Sequence, residues 1–233
     1  MKEPLTLGSL FDGISGFPLA GIYAGMKPVW ASEIEPFPIR VATKRLPYMK
    51  QLGDIKALDG GEIEPVDVIT FGSPCQNLSC ASAKRTGLQG EKSSLFFEAV
   101  RIIAEMRKKT NGQYPKWGVW ENVPGALSSA GGHDFRQVLE SLARIKDPDA
   151  VVPMPDNGRW LSAGEIMGDT YSLAWRILDA QLCEASHNCA YAQSAIMERN
   201  ARQGVKTGVP YRANLCIIFG SDACTSKRLE PCE

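Results

Sequence analysis

The sequence predicts an α/β fold, a mostly parallel sheet with helices on both faces. Three observations carry that reading. Short apolar runs rich in β-branched residues, such as Val66-Asp67-Val68-Ile69-Thr70-Phe71, leave no helical stripe over and suit strands covered on both sides. Longer stretches between them carry apolar residues on one helical face. The strand-like runs end in Gly, Pro or acidic residues, and in an open α/β sheet that edge is where ligands bind.

A chain of 233 residues suits one large domain, or one domain with a small second one. No apolar run approaches a membrane span. The formal net charge of zero argues against a broad electrostatic nucleic-acid coat and leaves room for a local basic groove. Met1-Lys2-Glu3-Pro4 leads into a strand-like segment without a signal-peptide pattern, so a cytoplasmic, reducing setting is expected. The seven Cys are then not expected to form a disulfide framework.

In order, residues 5–11 read as the first strand. Asp12-Gly13-Ile14-Ser15-Gly16 is a glycine-rich turn, and residues 17–26 read as a helix with Pro18 in its first turn. Strand, turn and helix N-terminus together let backbone N–H groups approach a ligand. Residues 29–32 form a second strand ending at Glu33, about twenty residues after the turn, where an acid can accept both hydroxyls of a ribose. A solvated loop carboxylate is the plainer alternative. Residues 38–46 read as a helix. Gly53-Asp54-Ile55 ends a short extended segment, and Asp54 either accepts from an adenine amino group or caps a turn.

The strand ending at Gly72 is followed at once by Ser73-Pro74-Cys75-Gln76, a thiol on a stiff turn beyond the carboxyl end of a strand. A small buried thiol would be the ordinary reading of an isolated Cys. Beyond it, Ser79, Ser82, Lys84, Arg85, Gly87, Gly90 and Lys92 form a polar, glycine-punctuated loop. Its three cations could meet phosphates, or simply face solvent. Residues 94–109 form a helix with Leu95, Ala99, Ile102, Ile103 and Met106 on one stripe, and 110–115 a loop. Residues 117–120 form a buried strand that delivers Glu121-Asn122-Val123-Pro124 to the same edge as Cys75. Residues 151–170 read as a long loop and 171–182 as a largely apolar helix.

Taken together, Phe11-x-Gly13 with Gly16, then Glu33, Gly53-Asp54-Ile55, Pro74-Cys75-Gln76 with Leu78-Ser79, and Glu121-Asn122-Val123 resemble the cytosine-C5 DNA methyltransferases. The likeness covers about residues 5–182, and its Pro-Cys-Gln-x-Leu-Ser form is most similar to phage and bacterial DNA enzymes, whether of restriction–modification or of phage self-protection. It implies a Rossmann-like, S-adenosylmethionine-dependent methyltransferase fold, with residues 1–182 as the catalytic core. Phe11, Asp12, Gly13, Ile14 and Gly16 would hold the cofactor, with Glu33 at the ribose and Asp54 at the adenine, and Ile34 and Ile55 beside them would also contact it. No metal is implied. Ser15 departs from the pattern, since many relatives have a further glycine there; being small, it should leave the turn intact. A related tRNA methyltransferase family shares the fold but usually carries a different residue after the Cys.

The chemistry accounts for these residue types. Cytosine C5 is a poor nucleophile until the ring is activated by covalent addition at C6, and the Cys75 thiolate would make that addition. Glu121 would hold the N3/N4 edge, a role that calls for a carboxyl whose pKa partial burial raises. The activated ring then takes the methyl group, and loss of the C5 proton expels Cys75. None of this is possible inside a duplex, so the partner is duplex DNA with one cytosine flipped out. Asn122 would brace the Pro74 turn, and Ser79, Lys84, Arg85 and Lys92 belong to the segment that resembles the family's mobile loop.

After Gln181 the pattern breaks. The family's Gly-Val-Pro-Gln-Arg-Arg-like segment is absent where expected, and only a late echo, Gly208-Val209-Pro210-Tyr211-Arg212, precedes a strand-like 215–219. Five of the seven Cys lie in this stretch, at 183, 189, 216, 224 and 232. Residues 183–233 thus read as an out-of-frame tail, a divergent insertion, or the end of a split enzyme whose partner chain supplies target recognition. No complete target-recognition domain fits there. The Cys183, His187 and Cys189 spacing is not a usual zinc pattern.

Overall fold

The structure is a computed structural model that describes residues 3–73, 94–178 and 214–220, the last stretch by its backbone. One sheet runs through it in the order β3-β2-β1-β4-β5-β8-β7-β6. The strands are β1 (Thr6–Leu10), β2 (Lys27–Ser32), β3 (Lys50–Gln51), β4 (Val68–Phe71), β5 (Trp117–Asn122), β6 (Ala163–Met167), β7 (Ser172–Leu178) and β8 (Asn214–Gly220). The first five pair in parallel, and β8 enters antiparallel to both β5 and β7. The sheet therefore uses residues from both sides of position 182.

The helices are α1 (Gly16–Tyr23), α2 (Pro36–Arg45), α3 (Ser94–Lys109) and α4 (His133–Ala143). Successive strand residues face opposite ways, and the packing follows that alternation. Trp30 joins the main core, where Phe96, Ala99, Ile102, Ile103 and Met106 of α3 and Phe135, Val138, Leu139 and Leu142 of α4 are buried. Its neighbour Ala31 packs the other way, with Ala42 of α2, Leu46 at the end of that helix, and Met49. Helices on both faces are thus borne out, and α3 occupies the span and buries most of the stripe read from the sequence.

Two expectations fail together. Residues 172–178 form strand β7, not a helix, and 163–167 of the expected loop form its antiparallel partner β6. The side chains of Tyr171, Leu173 and Trp175 are buried while Ser172 and Ala174 are half-buried and Arg176 is exposed, an alternation of period two. Apolar content without that count misleads. β6 was hidden for a further reason: Gly164 lies under Trp175, where an added Cβ would come within 2.2 Å of the indole. The tryptophan fills the space a strand side chain would occupy. Residues 124–143, given no element from the sequence, hold helical turns over Pro124–Gly132 and then α4.

At the amino edge of the sheet, Asp67 ties β1, β4 and β5. Its carboxylate accepts from Thr6 N at 2.9 Å, Thr6 Oγ1 at 2.8 Å and Lys116 Nζ at 2.8 Å. Burial alone would raise its pKa above the ordinary 3.8, but the Lys116 ammonium and the Thr6 donors outweigh it and hold the carboxyl below that value. A depressed folded-state pKa gives stability that is complete above the unfolded value and is lost as pH falls through the folded one. Asp67→Asn is expected to cost about 2 kcal/mol at neutral pH, the scale of a charge-assisted bond lost in a mostly buried setting. Denaturant titrations should find that cost shrinking below about pH 4, so that the variant shows a flatter acid limb.

Candidate functional site

One row of the sheet places the site. Leu10 stands opposite Ser32 and Phe71, and Phe71 opposite Trp120. The next residues along each parallel strand therefore emerge side by side: the Phe11–Gly16 turn, Glu33, Gly72-Ser73 and Glu121-Asn122. On the far side of β2, Gln51 pairs with Ala31, so Gly53 and Asp54 follow at the same edge. Five strand ends at about 4.8 Å spacing make an edge roughly 20 Å wide.

The turn after β1 is built on left-handed backbone at alternate positions: Phe11 at φ 54°, Gly13 at 60° and Ser15 at 71°. Gly13 has open space around it, so conformation and not crowding selects glycine there. A bulky residue at positive φ is strained, and such strain gathers at ligand-binding turns. The left-handed backbone at Ser15 is one that favours glycine, and a side-chain bond shows how this chain does without it. The Ser15 Oγ donates to Asp12 Oδ2 at 2.7 Å, with both residues buried, which offsets the left-handed backbone.

Glu33 closes the turn from β2. Oε2 accepts the Gly13 N–H at 2.7 Å, and Oε1 accepts those of Ile34 at 2.8 Å and Glu35 at 3.0 Å. The half-buried carboxylate is held by three backbone N–H groups and is not a loosely solvated one. Beside it Ile34 is 63 % exposed, an apolar side chain in water next to the polar turn. Ser32, buried at the end of β2, donates to Gly53 O at 2.7 Å and ties the β3 loop to this strand end. Asp54 caps the helical turn Ile55–Ala57, accepting from Lys56 N through Oδ1 at 3.0 Å. The turn-capping alternative is therefore realised, while Asp54 itself remains exposed beside the first N–H of that turn.

On the other side, β5 holds the end of β4. Trp120 Nε1 donates to Ser73 Oγ at 3.1 Å, and Asn122 Nδ2 donates to Ser73 O at 3.4 Å. Asn122 Oδ1 accepts Val123 N at 2.8 Å and so keeps its amide oriented. The bracing expected of Asn122 is directed at Ser73, the residue immediately before Pro74. Glu121 is 8 % exposed at this strand end. Pro74, Cys75, Gln76, Ser79, Lys84, Arg85 and Lys92 lie outside the described residues, as do Cys183, His187, Cys189 and Arg212.

Sequence reasoning missed Ser32, Ser73 and Trp120. The one available signal was a small polar residue at the last position of an otherwise apolar strand, as in Val29-Trp30-Ala31-Ser32. Among the described residues no helix is long and apolar enough to cross a membrane. The Ser15–Asp12 bond makes a specific stability prediction. Ser15→Ala, which keeps the strained φ and loses the bond, should cost about 1–2 kcal/mol. Ser15→Gly, which loses both, should lie within about 0.5 kcal/mol of the parent in thermal or denaturant unfolding.

The profile of the C-5 cytosine-specific DNA methylases matches residues 5–146. A protein of Escherichia phage P1 named DNA N-6-adenine-methyltransferase is 37% identical over 204 residues, covering 78% of this chain and 27% of that protein. The type II methyltransferase M.BsuFI of Bacillus subtilis is 34% identical over 142 residues, 60% of this chain and 32% of that one. The chain thus spans about a quarter to a third of the length of these curated relatives. A solved structure of a protein assigned as a DNA modification methyltransferase, encoded within an E. coli prophage, superposes with a TM-score of 0.54 at 17% identity. That match covers 93% of this chain and 47% of the other, and it shows the fold, Rossmann-like. With its family profile matched over more than half its length, the chain belongs to the C-5 cytosine-specific DNA methylase family.

Proposed function

We propose that this chain is the catalytic core of a DNA (cytosine-5-)-methyltransferase that takes its methyl group from S-adenosylmethionine. The observation that carries the reading is the shared register row, which brings the glycine turn, Glu33, Asp54 and the Glu121-Asn122 pair to one sheet edge. Cys75 follows two residues after Ser73 in the chain.

The donor set fits the cofactor. Its amino-acid end suits the backbone of the Phe11–Gly16 turn beside the α1 N-terminus. Glu33 keeps lone-pair capacity on Oε2 for a ribose hydroxyl while it holds Gly13. Exposed Ile34 offers an apolar surface for the purine, and Asp54 with the Ile55 N–H pairs an acceptor with a donor along its edge. When bound, S-adenosylmethionine supplies an electrophilic methyl group. Cys75 forms the S–C6 bond to a flipped cytosine, and Glu121 holds N3 and the N4 amino group as electron density moves toward C5. Removal of the C5 proton restores the ring and releases the thiolate. Ser79, Lys84, Arg85 and Lys92 contact DNA phosphates in this reading, and a second chain is the proposed source of target recognition if the core needs one.

The adenine-N6 name of the phage P1 relative favours one other reading, transfer to an exocyclic amine. This chain matches 27% of that protein, and an amine nucleophile has no need of a thiol addition at ring C6. Pro74-Cys75-Gln76 would then have no chemical task, so the cytosine reading is preferred. An RNA cytosine substrate would use the same chemistry, and comparing tRNA with duplex DNA as methyl acceptors distinguishes the two.

Label from S-adenosylmethionine should enter mixed-sequence duplex DNA with the parent chain and fall at least about 10³-fold with Cys75→Ser. The parent, but not the variant, should form a denaturation-resistant complex with duplex DNA containing 5-fluorocytosine, whose C5 substituent cannot depart as a proton. Equal incorporation by both would remove Cys75 from the mechanism. Glu33→Ala should weaken cofactor binding about ten-fold or more in calorimetry, since it loses both the ribose acceptor and the clamp on Gly13.

A further inference from the structure

We infer that Arg101, on α3, is a positioning residue for recognition of the cofactor's purine, acting by fixing the turn that carries Asp54 and Ile55. The inference rests on reading that turn as the adenine-binding one. From the middle of α3 the guanidinium reaches back more than forty residues: Nη2 donates to Ile55 O at 3.1 Å and Nη1 to Leu58 O at 2.9 Å. Nε donates to Glu98 Oε2 at 2.9 Å, and Nη1 to Glu105 Oε2 at 2.8 Å. Glu105 Oε2 also accepts Gly60 N at 2.8 Å.

The two glutamates orient the planar fork, and the fork bonds the carbonyls at both ends of the segment after Asp54. A decorative helix-surface ion pair would stop at the glutamates.

The turn needs this support. Ile55–Ala57 is a 3₁₀ turn of three residues, closed by Ala57 N to Asp54 O at 3.0 Å and Leu58 N to Ile55 O at 3.2 Å. So short a helical piece does not hold its own shape in water. Yet purine discrimination demands that the Asp54 carboxylate and the Ile55 N–H keep a fixed spacing, because one accepts and the other donates along the same ring edge. Arg101 bonds the carbonyl of Ile55, the residue whose N–H the proposed reading assigns to that edge. Ser32 holds the segment on its other side through Gly53 O. Cofactor affinity is thereby linked to a side chain that never touches the cofactor.

The test uses the full chain and calorimetric binding of S-adenosylhomocysteine beside S-inosylhomocysteine, which presents an oxygen where adenine has its amino group. Arg101→Met keeps length and removes the fork. It should weaken S-adenosylhomocysteine binding about ten-fold, the cost of misplacing one or two hydrogen bonds. S-inosylhomocysteine binding should hardly change, so the preference for adenine collapses. Arg101→Lys keeps the charge but cannot span both carbonyls, and should lose most of the same preference; it also carries the test if Arg101→Met does not fold. A preference unchanged in both variants, or equal weakening of the two ligands, would overturn the inference and leave Arg101 a general stabiliser. Asp54→Asn checks the reading beneath it: if that variant keeps full preference for adenine, or the parent binds neither ligand, the assignment of the adenine turn fails instead.

Discussion

A single register governs this molecule. Because Leu10 faces Ser32 and Phe71 across parallel pairs, and Phe71 faces Trp120, residues far apart in sequence leave the sheet in one line. A slip by one residue on any strand would turn every side chain on it to the opposite face and break the line. The sheet resists such slips with close fits. Trp30 of β2 lies over Gly8 of β1, where a Cβ would come within 2.3 Å of the indole, and its Nε1 donates to Glu64 O at 2.8 Å. Only one register puts that ring over that glycine. Gly164 and Trp175 repeat the device between β6 and β7.

The edge that results has two halves with different construction. Over β1, β2 and β3, side-chain carboxylates accept backbone N–H groups, as when Glu33 holds Gly13 and Asp54 holds Lys56. In the proposed reading that half receives the hydroxyls and the purine edge of the cofactor. Over β4 and β5, side chains of the neighbouring strand hold one residue, Ser73, by its hydroxyl and its carbonyl. That half fixes where the chain departs toward Pro74 and Cys75. A serine at each strand end, Ser32 and Ser73, does the joining because a short hydroxyl spans the gap between neighbouring strand ends. In the proposed reaction the cofactor takes the first half and the base the second.

Much of the first half was legible in sequence. Gly13, Gly16 and the distance to Glu33 reflect backbone conformation and strand length, and both leave marks on residue type and spacing. The α3 stripe was legible for the same reason, since helical period is a property of the sequence alone. Single hydrogen bonds leave no such mark. Ser73 could be understood only with Trp120 beside it, and Arg101 only with the carbonyls of Ile55 and Leu58 in reach. The hairpin of β6 and β7 was misread because Trp175, Leu173 and Tyr171 looked like helix content until their alternation with Ser172, Ala174 and Arg176 was seen. Ser15 was judged tolerable for its size, whereas the structure accounts for it by a bond to Asp12.

The site of methylation tests the account most directly. Duplex DNA treated with the chain and S-adenosylmethionine would be digested to nucleosides and the products identified by mass. The expected product is 5-methyl-2′-deoxycytidine, lost when Cys75 is replaced by serine. Methyl groups found on the adenine amino group in its place would contradict the account, because that reaction needs neither the Cys75 thiol nor the Glu121-Asn122 pair.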